Sequence, residues 1–143
     1  MEHNLSADAL TDAAFNGDLD AVRTLVEAGA DVNTEGRVWN PLHAAIENNQ
    51  SPVIRYLLNA GADPDFRYNG LPALHHVIDA EMDGYQQTNA SVLPSADMIQ
   101  LLVEAGADIA IEYDGQTPLQ FAEGYHHEAA LKYLRSQAIQ PAA

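Results

Sequence analysis

The chain repeats one phrase three times: Leu25-Val26-Glu27-Ala28-Gly29-Ala30-Asp31, Leu57-Leu58-Asn59-Ala60-Gly61-Ala62-Asp63 and Leu102-Val103-Glu104-Ala105-Gly106-Ala107-Asp108. A seven-residue phrase recurring this closely marks a structural repeat, and a repeat constrains architecture before any local reading does. The phrase describes a helix ending. Two aliphatic residues lie on the buried face of a last turn. Gly then supplies the left-handed backbone that stops the helix at little steric cost. The Asp carries the chain into a turn.

A second phrase keeps the same offsets. It reads Asn40-Pro41-Leu42-His43-Ala44-Ala45, then Pro72-Ala73-Leu74-His75-His76, then Gly115-Gln116-Thr117-Pro118-Leu119-Gln120. Gly29 to Gly61 and Leu42 to Leu74 are both 32 residues apart, and Gly61 to Gly106 and Leu74 to Leu119 are both 45. Two independent markers in one register place an insertion of 13 residues inside a single repeat.

A period near 33 with a Thr-Pro-Leu-His-like opening resembles the ankyrin repeat. Thr117-Pro118-Leu119 and Pro41-Leu42-His43-Ala44-Ala45 match that opening, while Pro72-Ala73 and His76-Val77 depart from it. The resemblance implies an all-α solenoid of four helix-turn-helix repeats joined by hairpin-like turns rather than a true sheet. The expected boundaries are 4–33, 34–65, 66–110 and 111–137 within one domain, 1–143. The first repeat lacks the opening turn and the last lacks the closing phrase, as suits terminal repeats. The chain is therefore expected to be a stand-alone, capped domain and a monomer when free.

Helical spacing of apolar residues supports the same plan. Leu10, Ala13, Ala14 and Phe15 precede a break at Asn16-Gly17-Asp18, and Asp18 is positioned to cap a helix carrying Leu19, Val22, Leu25 and Val26. Pro41 and Ser51-Pro52 open the helices of the second repeat, where a missing amide hydrogen costs nothing. Leu74, Val77 and Ile78 mark the first helix of the third repeat, and Pro94-Ser95-Ala96-Asp97 opens its second. Between them, residues 82–93 are polar, contain Gly84 and lack periodicity, so they read as a loop. That loop is either a tolerated surface insertion or a binding loop, with Tyr85 as its aromatic candidate.

Charge narrows the partners. Six Lys and Arg face 21 Asp and Glu, a formal net charge of −15. Such a field repels phosphate backbones and anionic lipid, which argues against nucleic acid and membrane partners and favours a basic protein, although it also serves solubility. Cys is absent, so disulfides and thiolate sites are excluded. No apolar run approaches the ~20 residues of a membrane span, and no secretory leader is evident, so the cytoplasm is the expected location.

Six His residues raise metal and acid–base chemistry. His43 and His75 share one repeat position, and in the resembled family that His holds the turn by hydrogen bonding. Adjacent pairs such as His75-His76 and His126-His127 point about 100° apart on a helix and seldom converge on one ion. No nucleophile motif or phosphate-binding glycine loop occurs. No cofactor, metal or catalytic activity is expected.

The resemblance implies that turn tips and the exposed sides of first helices form a concave face. Its candidate partner-binding residues are Arg37, Trp39 and Glu47 in the second repeat, Tyr68, Leu71 and Asp79 in the third, and Tyr113 and Asp114 in the fourth. Trp39, Tyr68 and Tyr113 are candidate anchors because Trp and Tyr are enriched at binding hot spots. Trp39 has the alternative of folding back over the first helix of its own or a neighbouring repeat. An aromatic centre with an acidic rim suits a basic surface. The expected function is a non-enzymatic protein-binding module, in its sharper form an inhibitor or immunity protein against a basic enzyme or toxin. The alternative is a scaffold or accessory factor that stabilises an enzyme without blocking it.

Overall fold

The computed structural model describes residues 5–34, 39–88 and 94–139, with the side chains of 5–7, 84–88 and 139 outside that description. Among the described residues, ten elements follow one another: α1 (Leu5–Asn16), α2 (Leu19–Glu27), α3 (Pro41–Glu47), α4 (Ser51–Asn59), β1 (Arg67–Tyr68), β2 (Leu71–Pro72), α5 (Ala73–Thr88), α6 (Asp97–Glu104), α7 (Pro118–Tyr125) and α8 (Glu128–Ile139).

The repeated phrase ends helices as its chemistry requires. Gly29, Gly61 and Gly106 have φ of 102°, 102° and 106°. The next amides reach back to close the turn, Ala30 N–H to Leu25 O at 3.0 Å, Ala62 to Leu57 at 2.9 Å and Ala107 to Leu102 at 3.0 Å. This is the six-to-one hydrogen bond of a glycine-terminated helix. Asp31, Asp63 and Asp108 then each accept from the amide two residues on, at 2.9 Å. The residue receiving that turn passes the pattern to the next repeat. Asn33 Oδ1 accepts from Asp63 N–H at 2.7 Å, and Asp65 Oδ1 accepts from Asp108 N–H at 2.9 Å.

Helix starts are equally local. Asp18 accepts from Ala21 N–H at 3.1 Å and Asn40 from His43 N–H at 2.7 Å. Thr117 and Gln120 form a reciprocal capping box, which satisfies two amides the first turn leaves open.

Two layers result. The first helices α1, α3, α5 and α7 pack in succession, and α2, α4 and α6 form a second row behind them. Ala13, Ala14, Ala44, Ala45 and Ala122 are buried in the first row, where small side chains let backbones approach closely. Val22, Ile54, Leu57, Ile99 and Leu102 fill the space under the second row. One continuous core therefore runs the length of the stack, as an all-α solenoid requires.

Two features differ from, or sharpen, the sequence reading. Residues 82–88 are not loop: they continue α5 to Thr88. Met82 is buried one helical turn beyond buried Ile78, no Pro interrupts the run, and a single interior Gly costs only about 1 kcal/mol. Residues 89–93 lie outside the described residues. Among the described residues, two turns between repeats are true two-residue hairpins. Arg67 pairs with Pro72 and Tyr68 with Leu71, around Asn69 and Gly70 at φ 51° and 84°. Tyr113 bridges Gln116 around Asp114 and Gly115 at φ 52° and 76°. Positive φ at both central residues matches the right-handed twist of the flanking strands.

Candidate functional site

The first-helix face is organised by three buried imidazoles. His43 is fully buried, and its Nε2 lies 2.8 Å from Phe66 O; His75 is fully buried, with Nε2 2.9 Å from Gln116 O. A carbonyl can only accept, so each ring carries its proton on Nε2 and donates it. Each His thus ties its helix to the turn of the following repeat. Burial lowers His43 to about 4, against the pull of the Phe66 bond and with help from His76. Burial also lowers His75, with the Phe121 and Tyr113 rings 5.1 and 5.7 Å away.

His76 faces the other way. One residue along α5 turns the side chain by about 100°, which aims His75 at the fourth repeat and His76 back at the second. The Nδ1 atoms of His43 and His76 lie 2.8 Å apart with the two ring planes within 13° of parallel. His76 Nε2 lies 2.7 Å from Glu47 Oε2. The Trp39 indole lies nearly parallel to His76, at 14° and 5.2 Å, and Tyr68 closes against Trp39 at 5.1 Å. Burial lowers His76, while Glu47 and then Asp79 pull it up.

Elsewhere, the Tyr125 hydroxyl donates to Asp79 Oδ1. That bond, then burial and the Asp79 and Asp83 charges, pushes the phenol up to about 12. Arg67 Nη1 donates to Gly70 O at 3.3 Å and Glu112 O at 2.9 Å, joining two successive hairpins. At the end of the stack, buried His127 accepts from Ala130 N–H through Nδ1 at 3.2 Å. Its Nε2 stands 3.6 Å from Glu81 Oε2.

The candidate residues fall into two groups. Trp39 and Glu47 meet His76, with Tyr68 against Trp39, and Asp79 sits beside Tyr125. Trp39 is half-buried, so its ring both covers the neighbouring repeat's first helix and leaves an edge at the surface. Tyr68 and Leu71 are half-buried on the hairpin, Asp79 is half-buried, and Glu47 is 43% exposed. Tyr113 is half-buried against His75 and Phe121, and Asp114 is exposed at the next hairpin tip. Arg37 lies outside the described residues, as does the side chain of Tyr85. Sequence reasoning gave His76 no role. Its signal was the departure at a position where small residues are usual, one step out of register from His43.

Among the described residues, no three His, Cys, Asp or Glu are grouped to hold a metal ion, and no helix is long and apolar enough to cross a membrane. An open groove of about 420 Å³ between α2 and α4 is lined by Leu19, Ser51, Pro52, Arg55, Tyr56 and Asn59. None of these is arranged as a nucleophile with a base.

Residues 10–87 match the family model described as ankyrin repeats, in three copies. Ankyrin repeat domain-containing protein 40 of Homo sapiens is 40% identical over 67 residues, which is 46% of this chain and 18% of that protein. Protein phosphatase 1 regulatory subunit 27 of Homo sapiens is 38% identical over 64 residues, 44% of this chain and 42% of that protein. Ankyrin repeat and SOCS box protein 6 of Homo sapiens is 38% identical over 114 residues, 76% of this chain and 25% of that protein. The matched stretches span less than half the length of each of these relatives.

Proposed function

Because the chain belongs to the ankyrin-repeat family, whose repeats are protein-interaction modules, we propose that it binds a basic protein partner on a concave face made of its first helices and hairpin tips. One observation carries the reading. Trp39 packs on Tyr68 and on His76, which also meets Glu47, and Trp39, Tyr68 and Tyr113 are each half-buried; in this reading Asp79 and Asp114 belong to the same face. Half-buried aromatics are already ordered and lose little entropy on binding. Their acidic neighbours, in a chain of net charge −15, steer a cationic partner toward them.

In its sharper form the reading is a non-enzymatic regulator: an inhibitor or immunity protein that covers a basic enzyme or toxin. One relative bears the name of a phosphatase regulatory subunit, which favours an enzyme as partner and keeps open an accessory role that preserves activity. The binding test is capture from a lysate of the source organism, eluted by rising salt, with wild type beside Glu47→Lys/Asp114→Asn. Both sites are exposed, and Asn tolerates the left-handed backbone at 114. A basic protein held by wild type, released by salt and lost from the variant supports the reading. Equal, salt-independent capture by both refutes it. Assaying the captured enzyme with and without the chain then separates inhibition from preservation.

A further inference from the structure

The contacts from Phe66 to Glu47 form a chain of three hydrogen bonds whose protons can be counted. Phe66 O can only accept, so the His43 proton sits on Nε2 and its Nδ1 is a bare acceptor. The 2.8 Å contact between the two Nδ1 atoms then requires the proton to come from His76 Nδ1. A neutral His76 in that tautomer has no hydrogen on Nε2. Yet His76 Nε2 lies 2.7 Å from a carboxylate oxygen of Glu47, and two lone pairs do not meet at that distance. Two neutral imidazoles bring two protons; the three bonds need three.

We infer that His43, His76 and Glu47 form a one-proton latch, which holds the Glu47 carboxylate against α5 when it carries three protons and releases it to the binding face when it carries two. The proton enters from solvent, since Glu47 is 43% exposed, and it resides on His76 Nε2 or on the carboxyl oxygen facing it. The bond that opens is the outer one. His43 and His76 are buried and fixed by their other contacts, whereas Glu47 is the last residue of α3 and is able to rotate away.

The groups facing His76 agree with this assignment. From α3 come His43 and Glu47. From its own helix comes Asp79, whose carboxylate is engaged by the Tyr125 hydroxyl of α7. From the approach to α3 comes the Trp39 ring, nearly parallel at 5.2 Å, a surface that favours a cationic imidazolium. Tyr68 of β1 lies 6.1 Å from His43 and touches Trp39. The cation on β1, Arg67, is engaged by the carbonyls of Gly70 and Glu112 and acts on His75 rather than His76. Burial draws the latch proton's affinity below that of a free imidazole, and Glu47 and Asp79 oppose it. The third proton is therefore off at neutral pH and taken up on acidification. His76 is a positioning residue: through it, pH decides whether Glu47 is available to a basic partner.

The consequence for binding rests on the proposed function, but the latch itself is testable on the free protein. Imidazole 15N shifts are followed from pH about 7.5 to 4.5 in wild type and in Glu47→Gln. At the upper pH, His76 is expected as the Nδ1–H tautomer with a bare Nε2. Acidification adds one proton in step with a change at the Glu47 side-chain carboxyl carbon. In Glu47→Gln the new side-chain amide donates its own hydrogen to the bare Nε2, closes the chain with two protons, and lowers the proton affinity of His76 by about tenfold or more. A His76 that is Nε2–H at neutral pH, or already cationic there, overturns the latch. An unchanged His76 titration in Glu47→Gln overturns it as well. No partner enters these measurements, so their failure leaves the binding reading standing, and a failed capture leaves the latch standing.

Discussion

Acidification tests the buried histidines most directly, and His43 supplies the magnitude. In the unfolded chain its imidazole binds a proton near the ordinary His value of 6.5; folded, burial lowers it to about 4. Between those values the unfolded state holds more protons, so stability rises with pH across that window and is lost as pH falls. Each tenfold difference in proton affinity between the two states is worth about 1.36 kcal/mol. For one site with these two values, the loss between pH about 7.5 and 4.5 comes to about 2.5 kcal/mol. The geometry gives the reason. Protonating His43 Nδ1 places a hydrogen where the 2.8 Å contact to His76 already holds one. Acidification changes more than this one imidazole, so the comparison needs a control. In His43→Gln the amide can still donate to Phe66 O but cannot take up the proton. Urea unfolding followed by far-UV circular dichroism gives the stability of both proteins at each pH. Wild type is expected to lose about 2.5 kcal/mol relative to His43→Gln on going from pH about 7.5 to 4.5. A difference between the two that stays constant across the window refutes a neutral, proton-refusing His43.

Three substitutions test the architecture and the face. Gly17→Ala places a Cβ at φ 73° and 2.2 Å from Gln50 Oε1; it should lower stability in urea by about 1–3 kcal/mol, and it should weaken the 3.3 Å bond from Gln50 to Phe15 O. Thr117→Ala removes the capping box of α7 and should cost about 1 kcal/mol in the same assay, with the loss absent from Thr117→Ser. Asp114→Gly relieves a non-glycine residue at φ 52°; it should leave stability unchanged or raise it by up to about 1 kcal/mol, while making capture of a basic partner easier to disrupt with salt.

Local chemistry was legible in the sequence. The Ala-Gly-Ala-Asp phrase ends helices because Gly at φ near 102° and the two amides around it need nothing beyond six consecutive residues. Asp18 caps its helix for the same reason. The repeat register placed His43 and His75 at one position, and the resemblance to the ankyrin repeat implied the turn-holding hydrogen bonds they make. The reach of α5 through residues 82–88 was less legible. Polar residues around a Gly look like loop, and the burial of Met82 that favours helix depends on what packs beside it.

What the sequence determined by itself was therefore the solenoid: the period and the helix stops and starts. Those follow from backbone conformation and from hydrogen bonds that close within a few residues. Tertiary structure decided how the first-helix face is wired. His43 and His76 are 33 residues apart, one step off the 32-residue register of the repeat. Their contact exists because stacking sets α3 beside α5 and the helical rotation between positions 75 and 76 turns the second ring back toward Glu47. The half-burial of Trp39 against His76 has the same origin. Periodicity records which residues recur, whereas the angle and separation of neighbouring helices determine which of them meet.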